Sequence, residues 1–450
     1  MALKITVIGT GYLGATHAAA MADMGFEVLG LDVVPEKIEM LRRGEVPIYE
    51  PGLEELLRRH VEGIEGSSGR LRFTTSYEEV AEFGDVHFVC TNTPQRHGEY
   101  ACDMSYVDAA FSTLAPLLTR PALVVGKSTV PVGSAERLRA VLTELAPAGD
   151  AVDLAWNPEF LREGFAVEDT LHPDRIVVGV QGEGAERAEK LLREVYARPI
   201  AEGSPLVITD FPTAELVKTA ANSFLATKIS FINAMAEVCE AAGGDVVKLA
   251  EAIGYDERIG RKFLRAGIGF GGGCLPKDIR AFMARAGELG ADQALTFLRE
   301  IDSINMRRRG QMVGMAREAL DGNSFLGKRV AVLGATFKPD SDDVRDSPAL
   351  NVAGQIHLQG GQVTVYDPKG MENARRLFPT LGYADSAVEA VEGADVVLHL
   401  TEWAEFRDLD PEALGRVAER RVIIDGRNAL DSAVWRAAGW TFRAMGRPRA

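Results

Sequence analysis

The sequence predicts two doubly wound α/β domains on either side of a helical middle, and three observations support this fold class. Short β-branched strands alternate with helical stretches near the N-terminus, beginning with Lys4–Ile8. From Pro212 to about Asn305 the chain is rich in Ala, Leu, Glu and Lys and has few β-branched runs. The opening pattern then restarts at residues 328–334. Strands and helices that alternate in this way predict parallel sheets.

The predicted strands are short apolar runs without polar alternation, which is typical of strands buried on both faces of a sheet. They are residues 4–8, 25–32, 85–90 and 122–126 in the first half, and residues 328–334, 362–367, 394–400 and 421–425 in the second. A long helix near residues 295–320 is predicted to lead out of the helical middle. These patterns predict two Rossmann-like domains, residues 1–207 and 321–450, joined by a central helical region, residues 208–320.

Composition and charge exclude several classes of function. The formal net charge of −15 does not suit binding to nucleic acid, which requires a basic surface. No apolar run approaches the roughly 20 residues needed to cross a bilayer, and the N-terminus does not resemble a cleavable signal. Four cysteines in so long a chain do not resemble a disulfide framework, so a reducing, cytoplasmic location is expected. The histidines and cysteines lack metal-ligand spacing, so no metal site is expected.

A glycine-rich turn follows the first predicted strand. It reads Gly9-Thr-Gly11-Tyr-Leu-Gly14, and Asp32 ends the next predicted strand. In this context the glycines make the turn, let the backbone approach a pyrophosphate and pack the helix against the strand. The helix N-terminus favours phosphate, and the Asp32 carboxylate would bind ribose hydroxyls and repel a 2′-phosphate. The motif therefore predicts a site for NAD rather than NADP, with FAD or no ligand as the alternative.

Three pairs of polar residues lie four positions apart, which places both members on one face wherever the segment is helical. The pairs are Glu159 with Glu163, Lys218 with Asn222, and Cys274 with Asp278. Such spacing is also common on solvated surfaces, so it does not identify a site by itself.

Cys274 differs from the other cysteines in its surroundings. A glycine-rich segment lies directly before it, and Pro276 suits the first turn of a helix. The dipole and free N–H groups of a helix N-terminus would stabilise the thiolate. Most free cysteines are buried structural residues, an interpretation that suits Cys90 and Cys239 but not a cysteine in a glycine-rich loop.

Together these motifs resemble those of the UDP-glucose/GDP-mannose dehydrogenase family. The segment Gly269-Phe-Gly-Gly-Gly-Cys-Leu-Pro-Lys-Asp278 is similar to the active-site motif of that family. The resemblance covers essentially the whole chain, in the motifs Val46-Pro-Ile-Tyr-Glu-Pro-Gly-Leu53, Ser128-Thr-Val-Pro-Val-Gly133, Asn157-Pro-Glu-Phe-Leu-Arg-Glu-Gly164, Asn222-Ser-Phe-Leu-Ala-Thr-Lys-Ile-Ser-Phe-Ile-Asn233, Phe337-Lys-Pro-Asp-Ser-Asp-Asp-Val-Arg345 and Asp425-Gly-Arg-Asn428.

The resemblance implies two successive hydride transfers from one carbon to NAD, which convert the C6 hydroxymethyl of a nucleotide-sugar into a carboxylate. It implies that Cys274 adds to the intermediate aldehyde as a nucleophile. The second oxidation then yields a thioester, which water hydrolyses.

The same resemblance implies roles for five further residues. Lys218 and Asn222 would stabilise the oxyanion, and Asp278 would order or activate water beside the thiol. Glu159, with Thr129 nearby, would position water for proton transfer or for thioester hydrolysis.

The resemblance also implies the binding contacts. The cofactor contacts are expected to be Gly9, Gly11, Tyr12, Leu13, Gly14, Asp32, Lys37, Thr93, Thr129, Glu163 and Arg345. The nucleotide-sugar contacts are expected to be Glu159, Phe160, Leu161, Lys218, Asn222, Phe263, Leu264, Gly267, Gly271, Phe337, Lys338 and Arg427. Arg258 matches an arginine that relatives supply from a neighbouring subunit, which implies a homodimer or higher homo-oligomer. Residues 1–207 would then bind NAD, residues 208–320 would form the dimer, and residues 321–450 would bind the nucleotide-sugar.

Departures from the family pattern leave the substrate open. Gly273 stands where relatives carry Ser or Tyr before the nucleophile, and Gly267 stands where UDP-glucose enzymes often carry Ser. The second departure makes dTDP-glucose an alternative to UDP-glucose. GDP-mannose and UDP-N-acetylhexosamines are further alternatives, although segments 46–53 and 401–406 favour glucose. A non-catalytic NAD-binding sensor or scaffold is an alternative of another class, but every expected catalytic residue is present.

Overall fold

The computed structural model describes residues 3–61 and 69–448, and the chain divides into two compact units. The first unit comprises Met1–Ala221 with Arg280–Leu289, and the second comprises Asn222–Ile279 with Gly290–Ala450. Within the described residues, no helix combines the length and the hydropathy that a membrane span requires.

The first unit contains one sheet. Its strands within the described residues are β1 (Lys4–Ile8), β2 (Glu27–Leu31), β3 (Leu71–Thr74), β4 (Val86–Val89), β5 (Ala122–Gly126), β6 (Val152–Trp156), β7 (Ile176–Val180) and β8 (Leu206–Thr209). They lie in the order β3-β2-β1-β4-β5-β6-β7-β8. Strands β1 to β6 are parallel, and the strand order reverses at β1, which is the switch point of a doubly wound fold. The predicted doubly wound class is confirmed. Strands β3, β6, β7 and β8 were not predicted, and β7 runs antiparallel to β6.

Both faces of this sheet are covered. The helices of the first unit are α1 (Tyr12–Asp23), α2 (Pro35–Arg42), α3 (Leu53–His60), α4 (Tyr77–Phe83), α5 (Ser105–Leu114), α6 (Ser134–Leu145), α7 (Ala166–Leu171), α8 (Ala185–Val195) and α9 (Ala197–Ala201). Side chains alternate between the faces of a strand, so Ile5 and Val7 pack into one core and Ile8 into the other. Two-sided burial explains why the strand has no polar alternation.

The middle of the chain is helical, as predicted. Its helices are α10 (Phe211–Ala242), α11 (Val246–Gly254), α12 (Leu275–Glu288) and α13 (Thr296–Glu318). Helix α13 confirms the predicted long helix near residues 295–320. Helices α10 and α12 each contribute residues to both units, because the division between the units falls within them.

The second unit contains a smaller sheet of the same class. Its described strands are β9 (Arg329–Leu333), β10 (Gln362–Tyr366), β11 (Gly382–Tyr383), β12 (Val396–His399), β13 (Val422–Asp425) and β14 (Thr441–Ala444). They are parallel and lie in the order β11-β10-β9-β12-β13-β14, which repeats the order of β3 to β6 around β1. The associated helices are α14 (Pro348–Leu358), α15 (Met371–Leu377), α16 (Ala387–Val391), α17 (Ala404–Arg407), α18 (Pro411–Val417) and α19 (Ser432–Ala437).

The two sheets differ at the acid that ends their second strand. In the second unit this acid is Asp367, which is buried. One carboxylate oxygen accepts hydrogen bonds from the backbone N–H groups of Ala335 and Thr336, the Thr336 hydroxyl and the Trp403 indole N–H. The other oxygen accepts from the backbone N–H groups of Lys369 and Gly370. The hydrogen-bonding capacity of Asp367 is therefore satisfied inside the unit.

Candidate active site

The glycine-rich turn joins β1 to α1 in the first unit. Gly9 has φ 89°, a left-handed conformation that favours glycine. A Cβ atom on Gly14 would lie 1.9 Å from the Gly9 carbonyl oxygen, so the third glycine permits the close approach of helix and turn. Helix α1 begins at Tyr12, and no side chain caps it at Gly11. Its first N–H groups therefore remain available for an anion, while Leu13 packs against the core.

Asp32 lies directly after β2, beside this turn. One carboxylate oxygen accepts from the Thr10 backbone N–H at 3.1 Å and pairs with Lys37 Nζ at 2.7 Å. The other oxygen accepts a hydrogen bond from Val34 N–H at 3.2 Å, which leaves it capacity for a further donor. Asp32 and Lys37, both predicted as cofactor contacts, are thus brought together.

Glu50 links the turn to a distant loop, and the sequence reasoning missed it. This buried carboxylate accepts hydrogen bonds from the Tyr12 hydroxyl and, at 2.7 Å each, from the backbone N–H groups of Gly164 and Ala166. Burial and the negative charges of Glu50 and Glu163 raise the pKa of the Tyr12 hydroxyl. The Tyr-Glu-Pro-Gly motif that contains Glu50 was a signal of the resemblance, but nothing in it pointed to this contact.

The loop that carries Glu159 and Glu163 is not helical. Four-residue spacing therefore does not place this pair on one helical face, because the helical segment that such placement requires is absent here. The backbone enters the loop from β6 and needs a turn before α7, which Gly164 provides with φ 81°. Glu163 lies near Tyr12, whose pKa it helps to raise, whereas Glu159 has different partners.

Glu159 forms an ion pair with Lys218 of α10. Lys218 Nζ lies 2.9 Å from one carboxylate oxygen, and the other oxygen accepts from Leu161 N–H at 2.6 Å. Lys218 Nζ also lies 5.7 Å from the centre of the Phe160 ring. Both charged side chains are largely buried, so the first unit presents a shielded ion pair formed by two predicted catalytic residues.

Thr93 and Thr129 meet in the loops that follow β4 and β5. The Thr93 hydroxyl donates to the Thr129 carbonyl oxygen at 2.8 Å. Downstream, the buried Glu215 carboxylate accepts from Gly133 N–H and Ala135 N–H at 2.7 Å each, which fixes the start of α6. Burial raises the pKa of Glu215. Glu215 lies on the same helix as Lys218, but its role at α6 gave no sequence signal.

In the second unit, Cys274 lies immediately before α12. The thiol-bearing residue is exposed, and Asp278 N–H donates to the Cys274 carbonyl oxygen at 2.9 Å. The buried Asp278 carboxylate accepts from the Asn222 side-chain amide at 2.6 Å and pairs with Lys277. The predicted helix start at Pro276 is confirmed, and the structure brings together Cys274, Asp278 and Asn222.

The glycine segment before Cys274 is tightly packed. A Cβ atom on Gly271 would lie 2.3 Å from the Asp346 carbonyl oxygen, and one on Gly267 would lie 2.5 Å from the Gly426 carbonyl oxygen. Serine at residue 267 would therefore displace the backbone that follows β13. This close approach gives a physical reason for one departure from the family pattern.

Arg427 connects this segment with Phe337. Its guanidinium donates to the Gly269 carbonyl oxygen at 2.8 Å and to the Phe337 carbonyl oxygen at 3.2 Å. Burial lowers the pKa of Arg427. Lys338 Nζ lies 5.5 Å from the Phe337 ring centre. Several predicted nucleotide-sugar contacts therefore cluster in the second unit.

The remaining predicted contacts of the second unit lie on loops. Phe263 has φ 64° and is partly exposed, and Leu264 is buried. Arg345 is exposed beside Gly273, where a Cβ atom would meet its guanidinium, and it pairs with Asp343 at 2.7 Å. The Arg258 side chain is 90% exposed, and it forms an ion pair with Asp256 on its own loop. The structure thus places Arg258 at the surface of its unit.

These features define a class of protein. The doubly wound sheet, the glycine-rich turn and the acid after β2 match the requirements of NAD, and an exposed cysteine at a helix start offers a nucleophile. The chain is an NAD-dependent dehydrogenase. Within the described residues no cluster of His, Cys, Asp and Glu side chains could hold a metal ion.

Comparison with known proteins specifies the family. Residues 3–200 match the NAD binding domain of the UDP-glucose/GDP-mannose dehydrogenase family, residues 212–307 its central domain and residues 331–432 its UDP binding domain. The chain belongs to the UDP-glucose/GDP-mannose dehydrogenase family.

Relatives resemble the chain over its full length. A UDP-glucose 6-dehydrogenase of Rhizobium meliloti is 42% identical over 99% of this chain and 100% of the relative, and one of Bacillus subtilis is 39% identical over 99% and 98%. The solved structure of a UDP-glucose dehydrogenase from Pyrobaculum islandicum is 37% identical, covers 96% of both chains and has a TM-score of 0.87. A UDP-D-ManNAc dehydrogenase from Pyrococcus horikoshii is 29% identical, with a TM-score of 0.85 and full coverage of both chains.

Proposed function

We propose that this enzyme catalyses the four-electron oxidation of the C6 hydroxymethyl of UDP-glucose to a carboxylate, through a thioester on Cys274. The observation that carries the proposal is the cluster of Cys274, Asp278 and Asn222 at the start of α12. Full-length relatives named UDP-glucose 6-dehydrogenase support glucose as the sugar and uridine as the nucleoside.

NAD would be held by the turn between β1 and α1. The free N–H groups at the start of α1 suit its pyrophosphate, and Asp32 suits the ribose hydroxyls. Lys37, Thr93, Thr129, Glu163 and Arg345 complete the set of proposed contacts. When bound, NAD supplies the hydride acceptor for both oxidations. What the protein itself supplies is the nucleophile, the charge stabilisation and the control of water.

Replacement of Asp32 by asparagine tests the cofactor site. We expect kcat/KM for NAD to fall about 10- to 100-fold, because charge-assisted hydrogen bonds to the ribose are weakened. We also expect the ratio of NADP to NAD activity to rise, because the Lys37 ammonium would be freed to attract a 2′-phosphate. Initial rates with each cofactor measure both effects. Asp23→Asn, at the far end of α1, is the control and should leave the ratio unchanged.

Cys274 would act after the first oxidation. Its sulfur adds to the aldehyde carbon, the thiol proton passes to the former carbonyl oxygen and a thiohemiacetal forms, which restores the tetrahedral carbon that a second hydride loss requires. The second oxidation leaves a thioester. Water then adds to the thioester carbonyl, the C–S bond breaks, and the thiolate of Cys274 and a free carboxylate form as two protons are released to solvent.

Polar residues on α10 and α12 would stabilise these steps. Lys218 and Asn222 lie one helical turn apart on α10, so we assign both to the oxyanion. Asp278, which accepts a hydrogen bond from Asn222, would orient that amide and order water near the thiol. Glu159 and Thr129 would position water for proton transfer and hydrolysis.

The family resemblance supplies the contacts that we propose for the nucleotide-sugar. Phe263, Leu264, Gly267 and Gly271 would form the base-binding segment. Phe337 and Lys338 would contact the sugar and phosphates, and Arg427 would supply a further contact. Phe160 and Leu161 belong to the same proposed set of substrate contacts. The close approach of Gly267 to Gly426 favours glycine for reasons of packing, so its presence does not argue against uracil.

We propose three functional segments and a homodimer or higher homo-oligomer. Residues 1–207 bind NAD, residues 208–320 form the dimer contact and residues 321–450 bind the nucleotide-sugar. Helix α10 supports the dimer: Phe224, Phe231 and Val238 recur every seven residues and are 67%, 47% and 57% exposed, so they form an apolar stripe along one face. Arg258 would reach the neighbouring subunit. A cytoplasmic location is part of this proposal, because Cys274 must stay reduced.

Replacement of Phe231 by glutamate tests the stripe. We expect the dimer dissociation constant to rise at least about 30-fold, because a charge would be buried at the centre of an apolar contact. Light scattering after size exclusion measures the mass across a dilution series. Leu358→Glu, an 86% exposed apolar residue at the end of α14, is the matched control and should leave the mass unchanged. An unchanged mass for Phe231→Glu would place any dimer contact elsewhere.

The decisive experiment for the proposed function is the yield of NADH per nucleotide-sugar. Reactions are run to completion with UDP-glucose, dTDP-glucose, UDP-N-acetylglucosamine and GDP-mannose in parallel. We expect about two NADH per UDP-glucose, the stoichiometry of a four-electron oxidation. One NADH per sugar would mean that the reaction stops at the aldehyde. If another nucleotide-sugar is oxidised in preference to UDP-glucose, that compound would become the proposed substrate. NAD binding without turnover of any sugar would favour a sensor or scaffold.

A further inference from the structure

A buried lysine lies beneath the Glu159 loop. Lys127 follows β5 and is only 7% exposed. Its Nζ donates to the Asn157 side-chain oxygen at 2.9 Å and to the Tyr196 hydroxyl at 3.4 Å. No carboxylate among the described residues lies within ion-pairing distance of it. A buried cation without a counter-ion is costly, so its retention calls for a reason.

Asn157 passes the influence of Lys127 to the Glu159 loop. Its side-chain oxygen also accepts from the Tyr196 hydroxyl at 2.5 Å, and its amide donates to the Val177 carbonyl oxygen at 2.7 Å. Asn157 is therefore held on both sides, two residues before Glu159. The start of the loop is therefore anchored by these buried hydrogen bonds.

Lys127 and Glu159 also line one small cavity of about 50 Å³ within the first unit. The titratable groups that line this cavity or act on Lys127 are His17 of α1, Cys90 after β4, Glu159, Asp169, Asp174 and Arg175 of the β6–β7 connection, Tyr196 after α8, and Lys218 of α10. Burial raises the pKa of Cys90 to about 12 and lowers that of His17 well below its usual range, so both stay neutral near pH 7. Burial is the main influence on Lys127 and lowers its pKa, and Lys218 acts in the same direction, whereas the negative charges of an ionised Cys90 and of Glu159 raise it.

The proposed function requires two different interactions of Lys218. It pairs with Glu159 at 2.9 Å, and it is proposed to stabilise an oxyanion. When the ammonium turns toward an oxyanion, the Glu159 carboxylate loses part of its compensation in a shielded environment. A second positive charge behind the loop would compensate that carboxylate while Lys218 is engaged elsewhere.

We propose that Lys127 is a positioning residue for this reaction, which anchors the Glu159 loop through Asn157 and supplies a buried positive charge that compensates the Glu159 carboxylate while Lys218 serves the substrate. The inference rests on the proposed function. It explains why a lysine occupies an interior position whose direct partners, an amide and a phenol, are neutral.

The test compares Lys127→Met with Tyr196→Phe, which removes a hydroxyl from the same network but keeps the charge. NADH formation from UDP-glucose is followed from pH 5 to pH 10. We expect Lys127→Met to lower kcat about tenfold at pH 7, a loss of one well-placed charge interaction. Burial lowers the pKa of Lys127 to about 8, so the wild-type lysine loses its charge above that pH. The ratio of the wild-type rate to the Lys127→Met rate should therefore fall between pH 7 and about pH 9 to 10, where only the loss of the hydrogen bond to Asn157 remains.

The acid side of the profile gives a second readout. Loss of a nearby positive charge makes a carboxylate easier to protonate, so the acid limb of kcat/KM for Lys127→Met should move to higher pH by about one unit. Tyr196→Phe should leave both limbs in place. NAD binding, measured by fluorescence titration, should be unchanged in both variants, because the site at Gly9 and Asp32 is not altered.

Three outcomes would overturn the inference. A rate ratio that stays constant with pH and an unmoved acid limb would make Lys127 a structural residue. The same conclusion would follow if Lys127→Met and Lys127→Gln both showed no folded state in thermal unfolding measurements. It would also follow if Tyr196→Phe shifted the pH profile as Lys127→Met does. Failure of the wild type to give two NADH per sugar would instead remove the proposed function, and the two failures are therefore distinguishable.

Discussion

Replacement of Cys274 by serine is expected to slow NADH formation at least about 1,000-fold. A serine hydroxyl next to α12 is far less acidic than a thiol, and the helix N-terminus cannot supply the nucleophile that sulfur provides. Steady-state absorbance at saturating NAD and UDP-glucose measures the loss. Mass spectrometry of acid-quenched reactions should find a uronyl adduct on the wild-type chain and none on Cys274→Ser.

The matched control for this variant is Cys239→Ala. Cys239 is a buried thiol of the second unit, packed in a small core with Ala236 and Val246. Its loss should cost about 1 kcal/mol of stability and leave the rate of NADH formation unchanged. A Cys274→Ser enzyme with near-normal turnover would exclude the thioester route and require another carrier of the acyl group.

Replacement of Lys218 by methionine is expected to lower kcat about 100- to 1,000-fold. Methionine fills a similar volume but removes the cation that faces the proposed oxyanion, and it leaves the Glu159 carboxylate without its partner at 2.9 Å. The effect should fall on kcat more than on KM, because charge develops on the oxygen only as the reaction proceeds. Stopped-flow measurement of the first NADH formed separates this step from hydrolysis.

Lys228→Met provides the control on the same helix. Lys228 lies further along α10 and donates to the Ile259 carbonyl oxygen at 2.9 Å. Its loss should leave kcat within about twofold of the wild type, since its contacts are structural. Equal decreases in kcat for the two variants would mean that the loss of any lysine from α10 impairs the enzyme. The assigned role of Lys218 would then be wrong.

The fold was predictable because short local sequence patterns indicate its strands, helices and turns. The strand at residues 4–8 has an uninterrupted apolar run, and its burial on both faces required that pattern. The turn at Gly9 to Gly14 was recognisable because only glycine permits the contact between Gly14 and the Gly9 carbonyl. Cys274 was recognisable for the same reason: glycines packed against neighbouring backbone cannot be replaced without displacing it.

Contacts between distant segments were not predictable. Glu50 reaches Gly164 and Ala166 across more than a hundred residues of chain, and neither segment has a pattern that names its partner. The helical condition for Glu159 and Glu163 failed because spacing alone cannot distinguish a loop from a helix. The burial of Lys127 could not be predicted, because the residues that surround it come from several separate strands and helices.

The internal bonds of Asp367 have a consequence for the timing of the reaction. An acid that already accepts six hydrogen bonds from its own unit has no capacity left for a ribose, so Asp367 does not add a second dinucleotide site to the one that we propose beside Asp32. A reaction that consumes two NAD must then exchange the spent cofactor for a fresh one halfway through. A sugar that is covalently bound to sulfur cannot escape as a reactive aldehyde during that exchange. The thiohemiacetal would thus also act as a tether that holds the half-oxidised sugar while the cofactor is exchanged.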